Sequence, residues 1–406
     1  MIESPVERLA KTHPDLEIWW DSSPLVYKSW VNKMVAAADP EHKSTLRDQL
    51  ARLLVADNPS QSVFRGCTTN PPLSLQAIQN DPDFWNDWVD ELIRSHPGLD
   101  LEEYRWITYK EVVRRGAEIF MPVFESSHGR YGWMSGQLNP RLFAETEKMV
   151  HDAEELSALS PNVMIKVPAS MQGIEVVKIL ASKGISTNTT VCFTLPQILA
   201  SARASQEGVR LAQKNGVDIG HWRAVITMMI GRLTENKILD VQLERRGLQM
   251  SRQDKHWFGI AIFRRAYRML QEAGYPSKML ACSMRVGPPV AGKTRFWDLE
   301  KLAGGEIVFT CPPYVLEPLL AIGENLIFDS QIEKDDTPAE VLSTMAKVPY
   351  CIQASDPNGL ELEQFNDHPA TLDTIANFSK SVTGLEDYIR SRMDIAIHKV
   401  GVHSLN

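Results

Sequence analysis

Residues 162–169 read Asn162-Val-Met-Ile-Lys-Val-Pro-Ala169, a lysine inside an otherwise apolar run. The length and β-branched content of this run are typical of a strand buried on both faces of a parallel sheet. An ammonium group is costly to desolvate there, so the pKa of Lys166 should lie below that of an exposed lysine. A neutral amine attacks carbonyl carbons, which makes Schiff-base formation the leading hypothesis. The alternative is a lysine at a strand end whose ammonium reaches water.

Short apolar, β-rich runs alternate along the chain with amphipathic stretches. Strands are predicted at 16–21, 66–70, 119–123 running on toward 132–138, 163–168, 187–193, 224–230, 278–284 and 306–311. Helices are predicted at 40–55, 82–95, 140–159, 173–183, 195–215, 253–273 and 298–303. Eight strands alternating with helices imply parallel pairing through right-handed crossovers, which closes most readily into a (β/α)8 barrel. An open, doubly wound sheet is the alternative.

The chain shows no linker or repeat, and α/β barrels can exceed the usual length of one domain. We therefore expect residues 1–406 to form a single barrel domain, with a helical tail over about 369–406 packed on the barrel. Near the start of the chain, Ser4, Pro5 and Glu7 predict a helix that begins with a capping box.

Composition excludes several classes of protein. The chain is 43% hydrophobic and 23% charged, with a net charge of −8, which argues against general binding to nucleic acid or acidic membranes. No apolar stretch reaches the roughly 18 residues of a membrane span, and no signal pattern is present. The five cysteines form no CxxC pair, so neither a disulfide framework nor a zinc cluster is predicted. We expect a cytoplasmic protein without a metal site.

Polar residues recur where the predicted strands end. In a (β/α)8 barrel the chemistry lies at the carboxyl ends of the strands, so these residues should face one site. Alternate strand residues point the same way, which places Asn188 and Thr190 on one face, and Ser283 and Arg285 on another. Singly, each could be a turn residue. The set is Asp21, Thr68, Asn70, Gln137, Lys166, Asn188, Thr190, Thr227, Ser283 and Arg285.

Several segments, in order, resemble the transaldolase family. The specific ones are Thr68-Thr-Asn-Pro71 and Asn162-Val-Met-Ile-Lys-Val-Pro168, and the match spans roughly residues 16–312. The others are Trp19-Trp-Asp-Ser-Ser23, Ser135-Gly-Gln-Leu-Asn-Pro-Arg141, Asn188-Thr-Thr190, Gly231-Arg232 and Ser283-Met-Arg285. The resemblance implies a (β/α)8 barrel of the class I aldolase type, with no metal or organic cofactor. It also implies transfer of a dihydroxyacetone unit between sugar phosphates.

The resemblance implies a role for each matched residue. Lys166 would form the Schiff base, and Asp21 would carry the proton of the hydroxyl whose carbon–carbon bond breaks. Asn70 and Asn188 would hold donor hydroxyls, with Thr68 and Thr227 beside them, and Thr190 would position a water. The phosphate would bind to Arg232, Ser283 and Arg285, which suits the bidentate donors of guanidinium groups. A salt bridge at the barrel rim is the alternative for the two arginines.

The chain departs from the family pattern at the proton carrier. Gln137 stands where transaldolases have a glutamate; the related fructose-6-phosphate aldolase branch also has a glutamine here. An amide cannot accept and return a proton. Met229 stands where that branch has a tyrosine. His128 and Tyr131 are alternative proton donors from the sequence before Gln137. The departure leaves open an unusual sugar in specialised metabolism, an aldolase that releases free dihydroxyacetone, and a sugar-phosphate-binding barrel without catalysis.

A competing motif runs from Gly287 to Thr294, Gly-Pro-Pro-Val-Ala-Gly-Lys-Thr, and matches the phosphate-loop pattern GxxxxGK[ST]. Residues 326–329 could supply the apolar run and acid of a magnesium-holding strand. The chain from residue 278 onward is short for a nucleotide-binding sheet, and this reading leaves Lys166 unexplained. A P-loop NTPase is therefore a minor alternative. The expected partners are small sugar phosphates, and the sequence leaves the oligomeric state open, a homo-oligomer included.

Overall fold

Eight parallel strands close into a barrel in chain order, with β8 hydrogen-bonded to β1. The computed structural model of the chain describes residues 2–55, 58–322 and 326–403, with side chains up to residue 395. The predicted (β/α)8 barrel is confirmed, and the open sheet is excluded. The strands are β1 (Glu17–Trp20), β2 (Phe64–Thr68), β3 (Trp133–Gln137), β4 (Val163–Pro168), β5 (Thr187–Cys192), β6 (Ala224–Met229), β7 (Ser277–Cys282) and β8 (Ile307–Cys311).

Helices surround the barrel and continue beyond it. The first, α1, begins with the predicted capping box between Ser4 and Glu7. The helices are α1 (Pro5–Ala10), α2 (Tyr27–Ala37), α3 (Lys43–Leu53), α4 (Pro71–Asn80), α5 (Pro82–Ser95), α6 (Leu101–Ser126), α7 (Thr146–Ser157), α8 (Met171–Ser182), α9 (Leu195–Lys214), α10 (Ile230–Thr234), α11 (Lys237–Glu244), α12 (Arg252–Glu272), α13 (Trp297–Glu300), α14 (Pro313–Ile322), α15 (Ala339–Met345), α16 (Pro349–Ser355) and α17 (Pro369–His403).

The barrel interior is layered by the alternation of strand side chains. A middle layer is apolar and includes Trp19, Trp133, Met164, Leu280 and Val308. The layer nearer the carboxyl ends is polar. Below the apolar layer, at the amino ends, Glu17 is buried and paired with Arg223 and Lys278. The apolar middle layer therefore separates two charged ends.

The last helix, α17, packs against α4, α5 and α6 and reaches α10 and β5. The predicted helical tail is a single helix from Pro369 to His403, and residues 404–406 lie outside the described residues. The helix crosses the end of the barrel at which β5 and β6 finish, so it borders the predicted site.

The prediction of strand at 119–123 is wrong, because these residues lie inside α6. Within that helix the buried residues recur at helical spacing, including Val113, Gly116, Phe120 and Val123. A short apolar run has the same appearance in a strand and on the buried face of a helix, and here length decides. Only the second part of the prediction, near 132–138, contains β3.

The P-loop alternative has no structural basis. The segment from Gly287 to Thr294 connects β7 to β8, and Val290 and Lys293 pair across a tight turn through mutual 3.0 Å hydrogen bonds. A phosphate loop leads directly into a helix whose N-terminus binds the phosphates, but here the next helix, α13, is short and starts only at Trp297. Residues 326–329 form no strand.

Among the described residues, no helix is long and apolar enough to cross a membrane. Within the same part of the chain, no group of three or more histidine, cysteine or acidic side chains is arranged to hold a metal ion.

Candidate active site

Lys166 lies in the middle of the polar layer, on β4, and is 1% exposed. Its register partners are Gln137 on β3 and Asn188 on β5. Nζ donates a hydrogen bond to the carbonyl oxygen of Thr69 at 3.0 Å. Burial lowers the pKa of Lys166, and the charge of Asp21 opposes this only in part. The amine is therefore shifted toward its neutral, nucleophilic form.

Asp21 follows β1 and is the acidic side chain coupled electrostatically to Lys166. Burial raises the pKa of Asp21, and the attraction of Lys166 opposes that rise. Thr68 donates a hydrogen bond to Oδ1 at 2.7 Å, and the Thr68 hydroxyl also lies 2.6 Å from that of Thr310. These hydroxyls fix the orientation of the carboxyl group. The pair thus combines a lysine biased toward the amine with an acid biased toward its protonated form.

Asn188 is completely buried and held on both sides of its amide. Its Nδ2 donates to Ser135 Oγ at 2.9 Å, while Oδ1 accepts from the Thr227 hydroxyl at 2.6 Å. The predicted residues Asn188 and Thr227 are therefore in direct contact. Because both amide atoms are already bonded, the side chain has one fixed orientation beside Lys166.

Gln137, the register partner of Lys166 on β3, has an unmet hydrogen-bonding group in its side chain. It is 3% exposed, and its Oε1 has no hydrogen-bond partner among the described residues. Its backbone carbonyl accepts a 2.6 Å bond from the Tyr109 hydroxyl of α6. A buried amide oxygen without a partner costs stability unless water or a ligand binds it.

Two further predicted residues have different surroundings. Thr190 is buried on β5, and its hydroxyl lies 4.0 Å from the sulfur of Met229 at the end of β6. Asn70 forms the N-cap of α4, because its Oδ1 accepts from Leu73 N at 3.0 Å. The amide NH2 of Asn70 is left to donate to a ligand.

The two arginines lie next to each other at the mouth. Gly231 permits this, since a Cβ there would stand 2.7 Å from Arg285 Cζ and 2.3 Å from the carbonyl oxygen of Ser283. Burial lowers the pKa of Arg232, and the like charge of Arg285 lowers it further. Arg232 Nη2 bonds Asn377 Oδ1 of α17 at 2.9 Å. Two adjacent guanidinium groups have the chemistry to bind an anion.

The prediction that strand alternation places Ser283 and Arg285 on a common face is wrong. Strand β7 ends at Cys282, and Ser283 has a positive φ of 55°, so strand alternation does not extend to Arg285. The guanidinium turns back instead, and Nη1 donates to Ser283 O at 2.7 Å.

The alternative proton donors His128 and Tyr131 are at the wrong end of the barrel. They precede β3, and His128 lines a cavity of about 500 Å³ with Glu17 and Lys278 at the amino ends of the strands. The apolar middle layer separates that cavity from Lys166, so neither residue can serve the site.

Several residues of the site were missed by the sequence reasoning. Cys282 and Thr310 could have been found by counting every second residue along β7 and β8, since they share the interior face with Leu280 and Val308. Cys282 Sγ lies 3.9 Å from Asp21 Oδ2. The missed residues are Ser135, Cys282, Thr310, Tyr109, Glu235, Tyr314, Asn377 and Phe378.

The fold and this arrangement define a class: a (β/α)8 barrel with a buried lysine on its fourth strand and a carboxyl group at the end of its first. The chain belongs to the transaldolase/fructose-6-phosphate aldolase family, whose sequence profile matches residues 46–389. The predicted family is confirmed.

Curated relatives carry the name transaldolase. Transaldolase 1 of Streptomyces avermitilis is 30% identical over 209 residues, 51% of this chain and 54% of that protein, so the match spans about half of the relative's length. The transaldolase of Saccharopolyspora erythraea is 26% identical over 348 residues, 82% of this chain and 88% of the relative. That of Thiobacillus denitrificans is 26% identical over 296 residues, covering 70% and 80%.

Proposed function

We propose that the protein is a transaldolase-like transferase that moves a dihydroxyacetone unit between sugar phosphates through a Schiff base on Lys166. The observation that carries the proposal is a buried lysine, biased toward its neutral form, coupled to the carboxyl group of Asp21 inside the barrel. The names of the relatives agree with this function. The alternatives of a non-catalytic barrel and an NTPase have no comparable support.

The first stage forms the imine. The neutral amine of Lys166 adds to the ketone carbon of the donor ketose and gives a neutral carbinolamine. The carbinolamine hydroxyl takes a proton from solvent water and leaves as water, which gives a protonated imine. Thr190 and Gln137 are the candidates to hold that water. The imine keeps a positive charge, and a fixed cation beside Asp21 favours ionisation of its carboxyl group. Imine formation therefore turns Asp21 into a base.

The second stage breaks and remakes a carbon–carbon bond. The Asp21 carboxylate takes the proton from the hydroxyl on the carbon beyond the bond, the bond electrons move toward the imine nitrogen, and an aldose phosphate leaves. The three-carbon enamine stays on Lys166. It then attacks the carbonyl carbon of an acceptor aldose, Asp21 returns its proton to the new hydroxyl, and water releases the ketose and the free amine.

Borohydride trapping tests the covalent step. Incubation with fructose 6-phosphate or dihydroxyacetone, followed by borohydride, should add a three-carbon mass to the peptide that contains Lys166. Lys166→Met should abolish the adduct, whereas Lys214→Met, at the exposed end of α9, should retain it. An adduct that survives Lys166→Met, or no adduct with any ketose of a panel, would contradict the proposal.

An acceptor distinguishes the two enzymatic outcomes. With fructose 6-phosphate and erythrose 4-phosphate, a transferase yields a new ketose phosphate, whereas an aldolase yields free dihydroxyacetone at a rate independent of the acceptor. We expect the first outcome.

We also propose that residues 1–406 act as one domain in the cytoplasm. Homo-oligomer formation is a separate prediction, which light scattering tests.

A further inference from the structure

The two arginines of the proposed phosphate site have different partners. Nε of Arg285 donates a hydrogen bond to Oε2 of Glu235 at 2.8 Å, so the partner of Arg285 is a charged carboxylate. Arg232 donates Nη2 to the neutral amide oxygen of Asn377 at 2.9 Å and lies over the Phe378 ring at 5.1 Å. Among the described residues, the Arg285 guanidinium is thus paired with a carboxylate, and the Arg232 guanidinium is not.

Glu235 accepts from Nε, one of the two Arg285 nitrogens that a phosphate would use. The Nε–Nη2 edge of a guanidinium is suited to two oxygens of one anion. On Arg285, Nη1 is directed at the Ser283 and Met284 carbonyls, at 2.7 and 3.3 Å, and at the Tyr314 hydroxyl. In residues 2–55, 58–322 and 326–395, no group accepts from Nη2. Nη2 therefore remains available to donate to a phosphate oxygen, whereas Nε already donates to a carboxylate.

The backbone keeps Glu235 close to Arg285. Glu235 follows the last residue of α10, and its N–H bonds the carbonyl oxygen of Gly231 at 3.0 Å. Gly231 is the residue against which the Arg285 guanidinium lies. The Glu235 side chain is 51% exposed, so its carboxylate can rotate into water at little cost.

We propose that Glu235 is a specificity-determining residue that competes with the substrate's phosphate for Arg285. This inference rests on the proposed function. Without ligand, the carboxylate neutralises one of two adjacent guanidinium groups. When a phosphate binds, the carboxylate leaves Nε because two anions repel at this distance. The competition lowers the affinity for phosphate. It therefore lowers the ratio of kcat/KM for phosphorylated ketoses to kcat/KM for unphosphorylated ones.

Inorganic phosphate is the probe for a direct test. Calorimetric titration should show phosphate binding to Glu235→Gln about threefold to tenfold more tightly than to the wild type, with the difference greatest at low salt. Glutamine can still accept from Nε, so Arg285 keeps its orientation. Glu244→Gln, an exposed substitution on α11, is the matched control and should leave the affinity unchanged. Equal or weaker binding by Glu235→Gln would overturn the proposal and assign Glu235 to holding Arg285 in place.

A second readout separates this inference from the proposed function. The ratio of kcat/KM for fructose 6-phosphate to that for fructose should rise in Glu235→Gln by the same factor as the phosphate affinity. The double variant Glu235→Gln/Arg285→Gln should lose the gain. If neither the wild type nor Glu235→Gln binds phosphate, the competition is disproved. Borohydride trapping of unphosphorylated dihydroxyacetone on Lys166 would still test the covalent chemistry independently.

Discussion

Gln137 and Lys166 are register partners on adjacent strands, so the amide stands directly beside the proposed nucleophile. Oε1 of Gln137 has no hydrogen-bond partner in the part of the chain that the structure describes, so it can orient a water there. The amide cannot exchange a proton.

Gln137→Glu should raise transaldolase activity, because it introduces a proton carrier beside Lys166. General acid–base catalysis contributes about 10²–10⁴-fold, and we expect at least a tenfold part of it to return. Steady-state rates with fructose 6-phosphate and erythrose 4-phosphate measure the effect. Gln137→Met, which keeps the volume and removes the polar atoms, should lower the rate. An unchanged or reduced rate for Gln137→Glu would show that the pocket serves a different reaction.

Asp21→Asn should separate imine formation from bond cleavage. An asparagine cannot take the hydroxyl proton, so turnover should fall by about 10²–10⁴-fold. Borohydride should still trap dihydroxyacetone on Lys166, since that adduct needs no carbon–carbon cleavage. Asp39→Asn, exposed after α2, serves as the control. Full turnover by Asp21→Asn would remove Asp21 from the mechanism.

Asn377→Ala should weaken the use of phosphorylated substrates through Arg232. Loss of the 2.9 Å bond frees the guanidinium to change rotamer, and we expect KM for fructose 6-phosphate to rise about threefold to tenfold with kcat nearly unchanged. Trapping of unphosphorylated dihydroxyacetone should be unaffected. The control is Asn358→Ala, an exposed asparagine after α16. A fall in kcat alone would contradict a positioning role.

Glu17→Gln should destabilise the barrel at the end opposite the site. Burial alone would raise the pKa of Glu17, but the charges of Arg223 and Lys278 outweigh it and lower the pKa to about 2. Removing one member of a buried ion pair costs about 3–5 kcal/mol. Urea unfolding near pH 7 should show this loss, whereas Glu3→Gln, in an exposed pair with Lys11, should cost about 0–1 kcal/mol. Equal free energies of unfolding for wild type and Glu17→Gln would refute the prediction.

The same residue predicts how stability depends on pH. The pKa of Glu17 is lower in the folded state than its ordinary 4.5, so its stabilisation is complete above about pH 4.5 and is lost as the pH falls toward 2. Unfolding free energies of wild type and Glu17→Gln should therefore converge as the pH falls from 5 to 2. A constant difference would show that the carboxylate charge is not the cause.

The sequence predicted the barrel and most residues of the polar layer, because strand length, alternation and helix spacing are local properties. It could not separate 119–123 from a strand, since α6 buries the same apolar side chains against the barrel. Contacts between residues distant in sequence could not be predicted from the sequence either. Nothing near Arg232 indicates Asn377, which is 145 positions later, and nothing near Arg285 indicates that its guanidinium turns back to Glu235, 50 positions earlier.

The contact between Arg232 and Asn377 of α17 joins residues that are made at different times during synthesis. The last barrel strand ends at Cys311, whereas Asn377 is translated 66 residues later. We therefore expect the barrel strands, including the strand that carries Lys166, to be complete in the nascent chain before the partner of Arg232 has been made. We expect the proposed phosphate site to reach its final geometry only after α17 has emerged and docked.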